Sequence, residues 1–137
     1  QVLQFVVPPR PGSIYELGAA WGGLAVPLAR AFPDRRIIAY ELSTIPWLFL
    51  SLRVRVSGLK NIEVVRRDFF RDDLSKAAIV VCYLHPKSMV RLSTKLRSEL
   101  TPGTVVVSNT FALPGWAPEQ TSQLTDLYRT KIYRFIV

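Results

Sequence analysis

Three carboxylates carry the first chemical signal in this chain. Glu16, Glu41 and Asp68 each stand at or just beyond a short β-prone run, with Ile14 and Tyr15, after Ile37 to Tyr40, and after Ile62 to Val65. Parallel sheets bind ligands at the carboxyl edge of their strands, so three acids at successive strand ends would share one site. Glu16 also opens a glycine-rich turn, ELGAAWGG. Gly18 allows a positive φ there, and Gly22 and Gly23 allow a helix to start close to the strand end. Such a turn points free amide N–H groups at a ligand. Read as a dinucleotide fingerprint it supplies Gly18, Ala20 and Gly23, an imperfect G-x-G-x-x-G, but the Glu16 carboxylate would then repel the pyrophosphate.

Glu41 follows Gly18 at about the separation of the acid that closes the second strand of a nucleotide-binding βαβ unit. A carboxylate there can accept both ribose hydroxyl hydrogens; the competing reading is a surface glutamate capping the next helix. Asp68 either joins the site or pairs with Arg66 or Arg67 beside it. His85, the single histidine, precedes Pro86 and reads equally as an ordinary helix start.

The elements that must position these groups follow a strand and helix alternation. Leu24, Leu28 and Ala31 or Phe32 recur at helical spacing, and Pro27 requires that helix to start late or to bend near Gly23. Ser43 or Thr44 caps a second helix with Ile45, Leu48, Phe49, Leu52 and Val56 on one face and Gly58 as its stop. Trp47 lies off that stripe, beside the adenine side of the site or packed elsewhere. Residues 77–83 form a near-continuous apolar run, as a central parallel strand buried on both faces requires. A helix from Pro86 to Leu100 buries Met89, Leu92, Leu96 and Leu100. A fifth strand spans Thr104 to Ser108, an irregular segment reaches Trp116, and strands near Gln123 to Leu127 and Lys131 to Ile136 close the sheet as a hairpin. Residues 1–7 are apolar, a strand edge or the tail of a helix, and Pro8, Pro9, Pro11 and Gly12 break the segment.

Read as acid-x-Gly-x-Gly-x-Gly, the turn gives Glu16, Gly18, Ala20 and Gly22. It resembles the first motif of class I S-adenosylmethionine dependent methyltransferases, with Ala20 where that family has glycine and one methyl group narrowing the approach. The resemblance implies an α/β, Rossmann-like fold: a mostly parallel sheet, an antiparallel C-terminal strand, and helices on both faces. It implies S-adenosyl-L-methionine as cofactor, S-adenosyl-L-homocysteine as product, and a cofactor site of Glu16, Gly18, Ala19, Ala20, Trp21, Gly22, Glu41, Leu42, Asp68 and Phe69. Asp68 would accept from the adenine amino group while the backbone of Phe69 supports the ring. Tyr83 and His85, after the fourth strand, would face the transferred methyl as catalytic residues, and Tyr83 with Trp116 would touch the substrate. For Trp116, burial against the hairpin is the other reading.

Within that class, VVCYLHPKSM, KLRSELTPGTVVVSNTFALPGW and KIYRFIV resemble the small protein-lysine methyltransferases of the ATP synthase c subunit and the adenine nucleotide translocase, with their prokaryotic relatives. The chain departs from them at Ala20 and Trp21, where they tend to have glycine and an acid. The implied reaction is in-line attack of a protein lysine amine on the sulfonium methyl. RNA or a small molecule as acceptor, and a non-catalytic methyltransferase-like binding domain, are the alternatives. The fourth strand ends in Tyr-Leu-His-Pro and lacks an Asn-Pro-Pro-Tyr type motif for base amines.

Composition bounds these readings. The 137 residues, 49% hydrophobic, make one packed domain spanning 1–137. One cysteine, Cys82, and one histidine give neither a disulfide framework nor a histidine or cysteine metal cluster, so no metal is expected. A net charge of +8 fits either a solvated arginine-rich surface or an acidic partner, nucleic acid or anionic lipid; no RNA-binding motif accompanies it. The apolar runs are too short to span a bilayer, for which about 20 residues are needed. A cytoplasmic location is the reading, with membrane association through a removed N-terminal segment, since the chain starts at Gln1 and reaches its glycine turn at once.

Overall fold

The computed structural model describes residues 2–7 and 10–137, so the break expected at Pro8 and Pro9 lies outside the described residues. A seven-stranded sheet runs in the order β3-β2-β1-β4-β5-β7-β6. Its strands are β1 Ser13–Leu17, β2 Ile37–Tyr40, β3 Ile62–Val65, β4 Ala77–Cys82, β5 Val105–Asn109, β6 Gln120–Gln123 and β7 Lys131–Ile136. The first five pair in parallel, while β7 is antiparallel to both β5 and β6. Helices α1 Val2–Phe5, α2 Ala25–Ala31, α3 Thr44–Ser57 and α4 Pro86–Glu99 complete the chain. The expected mostly parallel sheet, with helices on both faces, is present.

Side-chain alternation along the strands divides the core. Ile14, Ile37, Ile79, Val81, Val105 and Val107 turn to α1 and α2, where Phe5, Leu28 and Ala29 meet them. Tyr15, Leu17, Val80 and Val106 turn the other way, against Met89, Leu92 and Leu96 of α4. Each such aliphatic side chain contributes about 1.5–3 kcal/mol by leaving water, which is what holds α4 on the sheet. All six residues of β4 are buried, as its apolar composition requires.

Pro27 is accommodated by the late start. Helix α2 begins at Ala25, so Pro27 occupies its first turn, where no backbone donor has an intrahelical partner. Asn61 then holds the other end, its Nδ2 donating to the carbonyls of Ala29, Phe32 and Arg35 at 2.9, 3.1 and 3.0 Å.

Between β3 and β4 the crossover holds a one-turn 3-10 helix, Phe69–Arg71. Two expectations are corrected. The strand placed near Gln123 to Leu127 is β6, Gln120–Gln123; beyond it Asp126 accepts from the Thr130 amide at 2.8 Å and closes a turn that the strand cannot enter. The other concerns α3, whose inward side differs from the expected one. Its stripe of Ile45, Leu48, Phe49, Leu52 and Val56 faces solvent, while Leu50, with Val54 beside it, packs into the core, because both sides of this helix are apolar.

Candidate cofactor and active site

Strand order reverses between β1 and β4, each of which has its other neighbour on the opposite side. A crevice opens at the carboxyl ends of strands at such a point. Two cavities lie there, of about 420 Å³ and about 280 Å³, and Gly18 borders both. The first is walled by Glu16, Ala19, Ala20 and Trp21 from β1 and its turn, with Tyr83 from the end of β4 and Asn109 from the end of β5. The second is walled by Glu41, Leu42, Asp68 and Phe69, with Tyr40 and Leu84. Of the ten residues expected to hold a cofactor, nine therefore line one or the other of these two cavities.

Gly18 sits at φ 78, and a Cβ on it would stand 2.9 Å from Leu84 Cδ2, so only glycine lets the strand end approach the β4 loop this closely. Its amide and that of Ala19 both donate to the Tyr40 carbonyl, at 3.1 and 2.8 Å, which ties the turn to β2. Ala20 takes φ 46, a left-handed conformation that costs a residue with a Cβ about 1 kcal/mol or more. Glu41 holds it there: its Oε2 accepts from the Ala20 amide at 2.6 Å and its Oε1 from the Ser43 amide at 3.0 Å.

Glu16 is the unusual group. It is only 5% exposed, its Oε2 has no hydrogen-bond partner among the described residues, and it faces the larger cavity. Burial, reinforced by the Glu41 carboxylate, pushes its pKa up to about 8. A buried carboxylate in this condition is poised to receive a cation, because an ammonium would relieve both penalties at once. Cys82 also borders this cavity, but burial raises its thiol to about 12, which leaves it a small apolar wall and no nucleophile.

Asp68 starts the 3-10 turn, its Oδ1 accepting from the Phe70 amide at 3.0 Å, with Oδ2 4.0 Å from Arg71 Nε. In the competing reading its partner is Arg66 or Arg67. Arg67 instead pairs with Asp72 at 3.0 Å, the carboxylate that also accepts from the Tyr40 hydroxyl at 2.9 Å. Phe69 packs edge-on to Tyr40, with centroids 6.3 Å apart, so the floor of the second cavity is aromatic.

Three expected residues sit elsewhere. Gly22 lines neither cavity; it lies behind the turn at φ 81, where a Cβ would collide with Leu50 Cδ1, so it serves the packing of α3 against the turn. His85 is exposed outside both cavities and begins α4, its carbonyl accepting from the Met89 amide at 3.0 Å. Trp116 is no wall of the crevice: its Nε1 donates to Ser93 Oγ at 2.9 Å and its ring meets Phe135 of β7 edge-on at 5.9 Å, the burial against the hairpin that was its other reading. Trp47 is half-buried under the Arg66 guanidinium, 5.7 Å from the ring centroid, and lines neither cavity. Sequence reasoning missed Tyr40 and Asn109. Tyr40 has a signal, since it is the last residue of a strand whose next residue is a candidate; Asn109 has one too, as the first residue of the irregular segment that follows the fifth strand at the same sheet edge. Among the described residues no group of three His, Cys, Asp or Glu could hold a metal ion.

A doubly wound sheet with an antiparallel last pair, and a crevice with acids at the first three strand ends, define the class I methyltransferase architecture. A family model described as the ANTKMT methyltransferase domain matches residues 16–120, and the chain belongs to that family of methyltransferases. A protein-lysine N-methyltransferase of Saccharolobus islandicus (strain REY15A) is 30% identical over 122 residues, which is 82% of this chain and 71% of that protein. An adenine nucleotide translocase lysine N-methyltransferase of Mus musculus is 32% identical over 112 residues, covering 80% of this chain and 48% of its own length. The chain thus spans about half of the mouse protein. Among solved structures, an RNA methyltransferase from Salinibacter ruber in complex with S-adenosyl-L-homocysteine superposes with a TM-score of 0.87 at 28% identity, covering 99% of this chain and 87% of that one.

Proposed function

We propose that this chain binds S-adenosyl-L-methionine and transfers its methyl group to a lysine amine of a protein. One observation carries the cofactor: the buried Glu16 carboxylate, with an oxygen lacking any partner among the described residues, facing a cavity at the switch point of the sheet. The ammonium of the methionyl group is the cation that fits it. The second cavity suits the nucleoside, with Glu41 at the ribose and Asp68 and Phe69 at the adenine. Each Glu41 oxygen accepts one backbone N–H and keeps a lone pair for a ribose hydroxyl. The Saccharolobus and mouse relatives are named as lysine methyltransferases, which supports the acceptor.

When bound, the cofactor supplies an activated sulfonium methyl with a neutral thioether as leaving group. The chain has to align an amine with it, and alignment alone can supply most of the acceleration. Tyr83, 61% exposed on the rim of the first cavity, would orient the amine by its hydroxyl or its ring face. A lysine amine, with a pKa near ~10.4, must arrive without its proton. Among the described residues Glu16 is the single carboxylate lining that cavity and is committed to the cofactor, and His85 stands outside, so the proton leaves to solvent.

RNA is the second reading for the acceptor, favoured by the description of the Salinibacter structure and by the net charge of +8. Incubating the protein with cell lysate and radiolabelled S-adenosylmethionine separates the two. Label in the protein fraction, recovered as methyl-lysine after hydrolysis, is expected; label confined to RNA would overturn the lysine assignment.

A further inference from the structure

Helix α3 displays an apolar face that none of the described residues covers. Ile45, Leu48, Phe49, Leu52 and Val56 are 69, 53, 49, 61 and 79% exposed. At 3.6 residues per turn they occupy an arc of about 100°. The core is served by the opposite side, through Leu50. Phe49 continues the patch to Trp21, itself 52% exposed, with ring centroids 5.4 Å apart. A contiguous apolar surface of this kind is a contact site.

Charge decides what it contacts. On the same helical projection Arg55 borders one edge of the stripe and Arg53 the other, and α3 contains no acid. Arg53 donates only to the carbonyls of Trp21 and Gly22, at 3.4 and 3.2 Å. Arg66, beyond the N-terminal end of α3, donates to Thr44 and to the Leu42 carbonyl. Among the described residues none of these three arginines forms an ion pair, so their charge is left for a partner. A second copy of this chain would set one cationic margin against another. A sheet of lipid with anionic headgroups matches both features: the stripe enters the acyl boundary, while arginine stems lie along it with guanidiniums at the phosphates. Trp21, amphipathic and half-exposed, suits the same boundary.

We propose that α3 is a docking face for an anionic phospholipid bilayer, one that sets the rim of the cofactor cavity, through Trp21, at the membrane surface. This rests on the helix alone and is independent of the acceptor assignment.

Flotation with vesicles tests it, comparing phosphatidylcholine alone with phosphatidylcholine containing phosphatidylglycerol. The protein is expected to float at least about tenfold better with the anionic vesicles, and 1 M salt should weaken that severalfold. A triple variant, Ile45→Ser, Leu52→Ser and Val56→Ser, touches only exposed positions and should lose about tenfold or more in flotation with an unchanged melting temperature. Arg55→Glu should lose severalfold. Failure of the native protein to float, equal flotation with neutral vesicles, or undiminished flotation of the triple variant would each overturn the proposal. So would a native dimer in solution that the triple variant abolishes, since a second copy would then own the face.

Discussion

Glu16 concentrates the chemistry of this molecule in one side chain. Its pKa of about 8 means that the folded protein holds a proton there which the unfolded chain, with an ordinary carboxyl near 4.5, has released. Because the raised value favours the protonated form, the ligand-free protein loses stability as pH rises from about 4.5 to about 8, by up to ~1.4 kcal/mol per pH unit. Glu16→Gln keeps the shape and removes the ionisation. The variant is expected to melt higher than the native protein at pH 8 and nearly level with it at pH 4.5; parallel melting curves across that range would mean that Glu16 ionises freely. Tyr83 lines the same cavity, at its rim. Tyr83→Phe should leave cofactor affinity intact while turnover falls about tenfold, and full activity would remove the hydroxyl from the mechanism.

Among the elements, the turn after β1 depends on what lies behind it as much as on the ligand before it. Gly22, with φ 81 and Leu50 pressed against it, predicts that Gly22→Ala destabilises the fold by about 2 kcal/mol or more and, by displacing the turn, weakens cofactor binding, and that adding Leu50→Ala restores part of that affinity. A cofactor dissociation constant unchanged in the single variant would show the turn to be free of α3. The same contact explains what could and could not be read from the residues. Strands β1 to β5 and helix α4 follow from local pattern, because each has one periodicity and one apolar face or none polar. Helix α3 does not: Leu50 and Val54 are as apolar as Leu48 and Leu52, so spacing alone left its inward side undecided, and the more regular stripe is the exposed one. The choice between the two readings of Trp116, and the bounds of β6, escaped for a related reason, since a hydrogen bond to Ser93 and a turn at Asp126 are long-range or loop decisions without a period. The convergence of Glu16, Glu41 and Asp68 was legible because strand-end position and parallel order together dictate it. The two backbone amides that occupy Glu41 were not, because they depend on the path of the turn.

At the scale of the whole molecule, the reversal of strand order between β1 and β4 makes the crevice, the glycine turn divides it into two cavities, and acids from three strands face into it. The central claim is that this crevice receives a cationic amino acid joined to a nucleoside. Calorimetric titration with S-adenosylmethionine at pH 7, repeated in buffers of different ionisation enthalpy, tests it most directly. One molecule should bind per chain and expel close to one proton as Glu16 ionises against the ammonium. That proton should vanish above about pH 8 and in Glu16→Gln, whose affinity falls by about 1.5–3 kcal/mol. Binding without proton release, with affinity indifferent to Glu16→Gln, would contradict the account, and so would a titration with no heat at all.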